Sequence, residues 1–229
     1  MSDSTIPGSF VAADVAILTI RDGALSVLLI RRANEPFQGR LALPGGFVEA
    51  DETVEQAAAR ELFEETGVPK SASRLSNIGV YSLPDRDPRR RVISVAFAAL
   101  VPNPGPDRPG GDAASTQWLP VDRALKEPLA FDHVQILEHA AAHARRQLEY
   151  TTDATAFCDT EFTVAELRRV YEIVWETKLD PGNFHRKVTR IDGFLEPTGE
   201  TTTRDGGRPA ALYTAGSLKR LPLPLAAGR

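Results

Sequence analysis

Three glutamates are crowded onto one side of a predicted helix. In "RELFEETGV", which covers residues 60–68, Glu61, Glu64 and Glu65 stand at positions i, i+3 and i+4. On a helix they fall within about a quarter turn of one another, and like charges at this spacing repel by roughly 0.2–0.5 kcal/mol per pair. A hard divalent cation such as Mg²⁺ or Mn²⁺ is the simplest compensation, because these ions prefer carboxylate oxygens and keep waters that bridge to phosphate.

The segment before this helix fits a phosphate ligand. "LPGGFVEADE" brings Gly45 and Gly46 to the helix N-terminus as a flexible turn with its carbonyl and amide groups, and anions are favoured at that end of a helix. A metal–carboxylate cluster beside such a loop predicts a site for a phosphate ester or a pyrophosphate. The alternative is a glutamate-rich surface helix without any ligand.

The acidic helix has signals for both of its ends. Thr53 and Gln56 match a capping box at its start, and Gly67 followed by Pro69 marks its end. Ala57 is expected to leave the space between the carboxylates open. The apolar side of the helix is expected to consist of Ala58, Ala59, Leu62 and Phe63.

The rest of the first half alternates strand-like and helix-like segments. A helix is predicted over residues 132–148. Apolar composition, β-branched residues and turn signals predict strands in "VAADVAILTI", "LSVLLIRR", "LALPGG", "LSNIGVYS", "RVISVAFAALV" and "TQWLPV". This order predicts an α/β sandwich around a mixed sheet.

A pair of helices opens the second half. Thr163 and Glu166 form a capping box before "LRRVYEIVWE". Asp180 and Pro181 then supply the N-cap and first residue of the next helix, which is expected to end at Gly193. The segments "FLEPTG" and "PAALYTA" flank "TRDGGR", whose Asp-Gly pair at 205–206 favours a hairpin tip. Helix, turn, helix and hairpin in this order predict a winged helix-turn-helix.

The second helix of this pair has the composition of a DNA-facing helix. In a winged helix it enters the major groove, where basic and polar side chains reach phosphates and base edges. Residues 178–220 carry eight basic and five acidic side chains, within a chain of net charge −4. A helical dimerisation or packing appendage is the alternative. The candidate DNA-binding residues are Asn183, His185, Arg186, Lys187 and Arg190 in the helix, and Arg204 and Arg208 in the wing.

Length and composition are those of a two-domain globular protein. The chain has 229 residues, 42% of them hydrophobic and 25% charged, and we predict domains at 1–150 and 151–229. No apolar run approaches the roughly 18 residues of a membrane span, and the N-terminus lacks the pattern of a secretory signal. A single cysteine, Cys158, excludes an internal disulfide and agrees with a cytoplasmic location.

The acidic helix and the loop before it resemble the Nudix box. Gly46, five residues, Glu52, seven residues and then "RELFEETGV" match it at every defined position. The resemblance implies a Nudix α/β/α sandwich around a mixed sheet, and cleavage of nucleoside diphosphates linked to another moiety by a metal-activated water. Arg60 would pair with Glu52 and hold the loop against the helix. The implied metal ligands are the Gly46 carbonyl, Glu61, Glu64 and Glu65. The three glutamates, together with Arg60 and Glu52, form the implied catalytic set.

A second group of candidates would bind the substrate. Pro84 stands sixteen residues past the end of the box, where ADP-ribose-cleaving Nudix enzymes often carry proline. Arginines cluster in "YSLPDRDPRRRV", and Arg31 and Arg32 end a neighbouring strand. Guanidinium groups clamp phosphates in bidentate fashion. The candidate ligand-binding residues are Gly45, Gly46, Arg31, Arg86, Arg89 and Arg91.

Over residues 10–216 the chain resembles the Nudix-related transcriptional regulators of NAD metabolism. The likeness includes "RDPRRRVISVAF", "LEYTTDATAF", "FTVAELRRVYE", "NFHRKV" and "GRPAALY". It implies a homodimer that senses ADP-ribose or a related nucleotide through its Nudix domain. It also implies a winged helix that binds a palindromic double-stranded DNA operator and releases it when the ligand binds. Arg186, Lys187 and Arg190 would lie on the DNA.

Three functions remain open at this point. Many of these regulators have a degraded box and bind the ligand without cleaving it, whereas the box here is intact. The first function is therefore a Mg²⁺-dependent pyrophosphohydrolase of ADP-ribose that also regulates transcription. The second is a catalytically silent, ligand-responsive repressor. The third is a plain Nudix hydrolase with a dimerising C-terminal domain.

Overall fold

The computed structural model describes residues 8–67, 74–104, 113–204 and 208–225. The chain forms two compact units, the first extending through His143 and the second starting at Ala144 and including the short segment Asp22–Ala24. One helix, His133–Tyr150, contributes residues to both units. The domain boundary that we expect at residue 150 stays a prediction.

A mixed sheet forms the centre of the first unit, as the sequence predicts. Its strand order is β3-β2-β1-β6-β5, with β4 also paired to β1 and β7 to β2. The β1–β6 pair is parallel over nine residues, whereas β4, β5 and β7 each pair antiparallel with their neighbours. The strands are β1 (Phe10–Arg21), β2 (Ala24–Arg32), β3 (Leu41–Ala42), β4 (Gly45–Phe47), β5 (Arg74–Tyr81), β6 (Val92–Leu100) and β7 (Ala113–Pro120).

Three helices accompany this sheet: α1 (Val54–Thr66), α2 (Val121–Ala124) and α3 (His133–Tyr150). The predicted capping box of α1 is present, since the Thr53 hydroxyl accepts from the Gln56 amide and the Gln56 side chain accepts from the Thr53 amide. Gly67 ends α1 in the left-handed region, at φ 68°. The second part of that end signal, Pro69, lies outside the described residues.

The rotation of α1 about its axis differs from the sequence prediction. Ala57, Ala58 and Leu62 are fully buried against the sheet, whereas Phe63 is 53% exposed. The small alanines let α1 approach β1 closely, and this packing turns Phe63 outward. As a consequence Glu61 and Glu65 point to the buried side, with only 8% and 5% of their surfaces exposed.

The glycine pair before α1 is not the flexible turn that we predict. Gly45–Phe47 form strand β4, in which Gly45 pairs with Asp14 and Gly46 with Ala13 of β1. A Cβ on Gly45 would lie 2.6 Å from the Ala13 carbonyl oxygen and 2.5 Å from Asp14 Oδ1. The absent side chain therefore permits this close pairing, and the segment is held by the sheet.

The second unit has the predicted order of helices and strands. A 3₁₀ turn (Asp153–Phe157) precedes β8 (Phe162–Thr163), α4 (Val164–Trp175), α5 (Pro181–Thr189), β9 (Leu195–Thr202) and β10 (Ala210–Ala215). The three strands form one sheet in the order β8-β10-β9. Tyr171 of α4 packs against Phe184 of α5 with ring centroids 5.4 Å apart, and the predicted capping box of Thr163 and Glu166 is present.

Helix α5 ends earlier than predicted, at Thr189 rather than at Gly193. The following residues form a turn in which the Phe194 amide donates to the Ile191 carbonyl, and Gly193 reverses the chain at φ 72°. Threonine, isoleucine and aspartate in this stretch have low helix propensity, so the helix stops before the glycine. The predicted hairpin tip at 205–206 lies outside the described residues.

Candidate functional site

Arg60 lies among three carboxylates at the loop–helix junction. Its Nη2 donates to Glu52 Oε1 at 2.8 Å and its Nε to Glu52 Oε2 at 3.3 Å. Its Nη1 donates to Glu61 Oε1 at 2.7 Å and lies 3.8 Å from Glu64 Oε1. The expected pair with Glu52 is therefore present. Arg60 also offsets part of the repulsion between the crowded glutamates. The spacing of the glutamates alone predicts that a cation offsets this repulsion.

A cavity of about 180 Å³ opens beside this junction. Of the residues predicted to bind ligand, Gly45, Gly46, Arg86 and Arg89 line it. Arg31 and Arg91 are not among the lining residues; Arg31 donates to the Gly39 carbonyl and Arg91 to the Ser82 carbonyl, both at 2.6 Å. Arg32, the neighbour of Arg31 in β2, lines the cavity instead.

Arg86 is a buried anchor in this cavity. It donates to Asp132 through Nε at 2.9 Å and through Nη2 at 2.6 Å, and its Nη2 lies 3.3 Å from Asp14 Oδ2. Burial alone would lower the pKa of Arg86, but the two carboxylates outweigh it and raise that pKa. Because only 3% of its side chain is exposed, Arg86 is already committed to protein partners.

His133, at the start of α3, completes this buried network. Its Nδ1 accepts a hydrogen bond from the Leu43 amide at 2.9 Å, so the ring carries its proton on Nε2 and is neutral. Nε2 lies 3.6 Å from Asp14 Oδ1. Burial lowers the pKa of His133, which agrees with a neutral ring at pH 7.

Aromatic rings and guanidinium groups form the wall of the cavity. The Arg32 guanidinium lies 4.8 Å from the ring centroid of Phe131, and that of Arg89 lies 5.8 Å from Phe47 and 6.0 Å from Phe131. Phe131 has φ 54° and its edge-to-face neighbour Phe37 has φ 65°. Left-handed backbone at large residues is uncommon and is often held in place at functional sites.

Helix α5 of the second unit presents its predicted basic side outward. Phe184 and Val188 are buried against the rest of that unit, which fixes the opposite side as the exposed one. Asp180 caps the helix by accepting from the Asn183 amide at 2.7 Å. The exposed residues are those predicted to face DNA: Asn183, His185, Arg186, Lys187 and Arg190.

Arg204 in the wing has an intramolecular partner. Its Nε donates to Glu166 Oε1 at 2.9 Å, and its Nη2 donates to Glu166 Oε2 and to the Glu161 carbonyl. Burial alone would raise the pKa of Glu166, but hydrogen bonds from Arg204 and Thr163 lower it. The structure thus ties Arg204 to the start of α4, whereas Arg208 is exposed.

Both units match models of known protein families. A model described as "NUDIX domain" matches residues 10–140, which is more than half of the chain. The chain belongs to the Nudix family. A second model, described as "NrtR DNA-binding winged helix domain", matches residues 155–215 and agrees with the order of helices and strands in the second unit.

The similarity to individual relatives extends over most of this chain. The "ADPR responsive transcriptional repressor NtrR" of Acinetobacter baylyi is 32% identical over 212 residues, 92% of this chain and 83% of that protein. The "ADP-ribose pyrophosphatase" of Methanocaldococcus jannaschii is 48% identical over 125 residues, 54% of this chain and 70% of that protein. The crystal structure of Shewanella oneidensis NrtR complexed with a 27mer DNA is 30% identical, with a TM-score of 0.77 over 94% of this chain and 99% of that chain.

Nudix hydrolases use divalent metal ions, and the residues at the junction suit such an ion in donor type. Glu61, Glu64 and Glu65 supply carboxylate oxygens, and a Cβ on Gly46 would overlap Glu61 Oε1, so the bare glycine backbone lies directly against that carboxylate. Burial raises the pKa of Glu61, an effect that Arg60 offsets only in part, and a cation would stabilise its charged form. Within the described residues, however, no three acidic, histidine or cysteine side chains are already arranged around one point.

Three residues around Arg86 have no role that the sequence predicts: Asp14 and His133, which line the cavity, and Asp132, which pairs with Arg86. Arg86 contacts Asp132 across 46 residues of chain and Asp14 across 72, and His133 lies 3.6 Å from Asp14 across 119 residues, so no local spacing reveals them. One signal was available for Asp14, since a lone carboxylate inside the apolar segment "VAADVAILTI" is unusual for a buried strand.

None of the described helices is long and apolar enough to cross a membrane.

Proposed function

We propose that this Nudix protein is a transcriptional regulator of NAD metabolism that binds ADP-ribose and retains hydrolysis of ADP-ribose or a related nucleoside diphosphate. The observation that carries the proposal is the presence, in one chain, of an intact acidic helix held by the Arg60–Glu52 pair and an exposed basic helix α5. Relatives of this chain bear the names of an ADPR responsive repressor and of an ADP-ribose pyrophosphatase, which agrees with both halves of the proposal.

In the proposed hydrolase, Glu61, Glu64, Glu65 and the Gly46 carbonyl hold Mg²⁺ or Mn²⁺. When bound, the ion supplies Lewis-acid activation of a water for attack on phosphorus. Arg60 and Glu52 fix the loop that carries Gly46 against α1. Arg89 and Arg32, which line the cavity, hold the phosphates. Gly45, which lines the cavity beside Gly46, contacts the ligand through its backbone.

The second unit supplies the operator-binding function in this proposal. A homodimer places two copies of α5 on a palindromic double-stranded DNA site, with Arg186, Lys187 and Arg190 on phosphates or base edges and Asn183 and His185 beside them. Arg208 contacts the backbone from the wing. Because the protein acts on DNA and on a soluble nucleotide, the proposal places it in the cytoplasm.

Hydrolysis is tested by incubating the protein with ADP-ribose and Mg²⁺ or Mn²⁺ and following AMP and ribose 5-phosphate. Glu64→Gln and Glu65→Gln remove carboxylates from the proposed metal site, and we expect turnover to fall by at least about 100-fold. Glu55→Gln is the matched control, since this exposed glutamate lies in the first turn of the same helix. Equal activity in all four proteins would contradict the metal assignment.

A catalytically silent sensor is the second candidate, and two observations favour it. Glu61 is hydrogen-bonded to Arg60, and the described acidic side chains are not arranged around one point. Calorimetry with ADP-ribose distinguishes the two candidates. Binding without release of AMP in either metal would identify a silent sensor, whereas binding with turnover supports the enzyme.

DNA binding is tested with a duplex that carries the palindromic operator expected near genes of NAD biosynthesis. Arg186→Ala and Lys187→Ala are each expected to weaken binding and to reduce the slope of log K against log salt by about one, because each removes one phosphate contact. Lys126→Ala, an exposed lysine of the first unit, is the control. Unchanged affinity in both α5 variants would favour a plain hydrolase with a dimerising C-terminal domain.

A further inference from the structure

Asp14 places one carboxylate oxygen in the cavity while the other is fully engaged. Oδ2 accepts hydrogen bonds from Ser94 Oγ and from Arg86 Nη2. Oδ1 lies beside Gly45, where a Cβ would come within 2.5 Å of it, and Asp14 lines the cavity. The residue is 7% exposed, so Oδ1 is a buried acceptor at the floor of the pocket, kept accessible by a glycine.

The charge of this floor excludes phosphate and favours hydrogen-bond donors. At the floor Asp14 lies against Arg86, whose positive charge is also paired with Asp132 outside the cavity lining, and the ring of His133 is neutral because its Nδ1 accepts from the Leu43 amide. The guanidinium groups of Arg32 and Arg89 instead lie over the aromatic wall, where Arg32 donates to the Pro36 carbonyl and Arg89 is paired with Asp87. The pyrophosphate of a nucleotide therefore belongs near the wall, and an uncharged donor belongs at the floor.

A hydroxyl group matches the floor better than an amino group does. His133 Nε2–H is a donor, and it faces the acceptor Asp14 Oδ1 across 3.6 Å, a gap longer than a direct hydrogen bond. A hydroxyl can accept from the first and donate to the second, whereas an exocyclic amine of a base can only donate. The cavity, about 180 Å³, is smaller than the roughly 300–1,000 Å³ that encloses a drug-sized ligand, so it takes one end of the nucleotide.

We propose that Asp14 and His133 together recognise a ribose hydroxyl of the bound nucleotide, and that Asp14 is a specificity-determining residue of this pocket. The inference rests on the proposed function in one respect, namely that the ligand is a nucleoside diphosphate joined to a sugar. A site built to hydrogen-bond a hydroxyl discriminates strongly against an analogue that lacks it, because the buried polar groups are then left without a partner.

The wild-type protein is tested first, by calorimetry in EDTA, so that no turnover occurs. The probes are ADP-ribose, its analogues with one ribose hydroxyl replaced by hydrogen, and inosine diphosphate ribose, which lacks the amino group of adenine. We expect one deoxy analogue to bind about 10- to 100-fold more weakly than ADP-ribose, and the inosine analogue to bind like ADP-ribose. This arm needs no variant, so it tests recognition of a ribose hydroxyl even if a variant fails to fold.

The variant arm uses Asp14→Asn. Arg86 and Ser94 require an acceptor, so the amide oxygen turns to them and the NH₂ group replaces Oδ1, which removes the acceptor offered to the ligand. We expect ADP-ribose affinity to fall about 10- to 100-fold and the discrimination against the deoxy analogue to disappear. Ser94→Ala is the matched control, because it removes a donor to Oδ2 but leaves Oδ1 in place, and it is expected to keep the discrimination.

The outcomes separate this inference from the proposed function. Equal wild-type affinity for every analogue, or discrimination that survives in a folded Asp14→Asn variant, would overturn the inference alone. Weaker binding of the inosine analogue alone would identify the adenine amino group, and not a ribose hydroxyl, as the group that is recognised. That result would overturn the ribose assignment. No binding of ADP-ribose to the wild type would overturn the proposed function and this inference with it.

Discussion

The guanidinium of Arg60 donates to both carboxylate oxygens of Glu52, across the eight residues that separate the loop from the middle of α1. The hydrogen bond from Arg60, followed by one from the Glu49 amide, lowers the pKa of Glu52 below its usual value of 4.5. The contact therefore has two consequences. It holds the loop that carries Gly46 against the helix, and it makes the stability of that loop depend on pH.

Glu52→Gln is expected to destabilise the protein at pH 7 and to do so less in acid. A carboxylate whose pKa is lower in the folded state contributes stability above its unfolded pKa, and this contribution is lost as the pH falls through the folded pKa. The difference in unfolding free energy between wild type and variant should thus shrink below about pH 4.5. Urea unfolding between pH 7 and pH 3 measures it. A difference that stays constant over this range would show that the ion pair is not its source.

Gly45→Ala is expected to lower the free energy of unfolding by about 1–3 kcal/mol, because overpacking forces backbone to move. The added Cβ would meet the Ala13 carbonyl oxygen at 2.6 Å, and this is backbone of the central strand rather than a flexible side chain. Gly8→Ala is the control, since a Cβ there has no heavy atom within 4 Å. Equal stability of the two alanine variants in denaturant unfolding would contradict the close pairing of β4 with β1.

His133 makes stability fall in mild acid. Burial lowers its pKa in the folded state, so below the ordinary value of about 6.5 the unfolded chain binds a proton that the folded ring does not. Stability contributed by this residue is therefore present above that value and lost as the pH falls towards the folded pKa, with a slope of at most about 1.4 kcal/mol per pH unit. In the His133→Asn variant the side chain keeps an acceptor for the Leu43 amide but does not titrate. The free energy of unfolding, measured in denaturant as a function of pH, should therefore vary less between pH 7 and pH 5 than in the wild type. An unchanged profile from pH 7 to pH 5 would assign the slope to other groups.

Arg204→Ala is expected to reduce the free energy of unfolding by about 0.5 kcal/mol, within the range of partly exposed ion pairs. The bidentate contact with Glu166 joins the wing to the capping box of α4, and it disappears in the variant. Arg208→Ala, at an exposed position on the other side of the hairpin, should leave stability unchanged. Thermal unfolding of the two variants tests this. If the two variants unfold at the same temperature, the pair with Glu166 does not contribute to stability, and the role of Arg204 would be DNA contact alone.

Local sequence was sufficient for some features and insufficient for others. The capping boxes at Thr53 and Thr163 were predictable because a cap depends on residues three positions apart. The outward position of Phe63 was not, because the rotation of a helix about its axis is decided by the sheet on which it packs. The end of α5 differs from the prediction for a related reason, since the low helix propensity of the residues before Gly193, and not the glycine itself, ends the helix.

The pocket shows the same limit on a larger scale. Nothing near Arg86 in sequence indicates that Asp14, 72 residues away, and Asp132, 46 residues away, occupy its guanidinium. For this arginine the sequence predicts only a role in binding phosphate. Tertiary structure commits it to two carboxylates, whereas at the cavity wall Arg89 is paired with Asp87 and Arg32 donates to the Pro36 carbonyl.

Asp14 sits in the middle of strand β1, paired on one side with Ala96 of β6 and on the other with Gly45 of β4. Because it is paired on both sides, we expect its amide and those of its neighbours to exchange hydrogen with solvent only when the whole unit opens. We therefore expect the floor of the cavity to keep one shape on the time scale of ligand encounter. Ligand binding orders little there, so the entropic cost of recognition falls on the arginine-bearing loop, and protection gained on binding should be found in that loop and not in the strand.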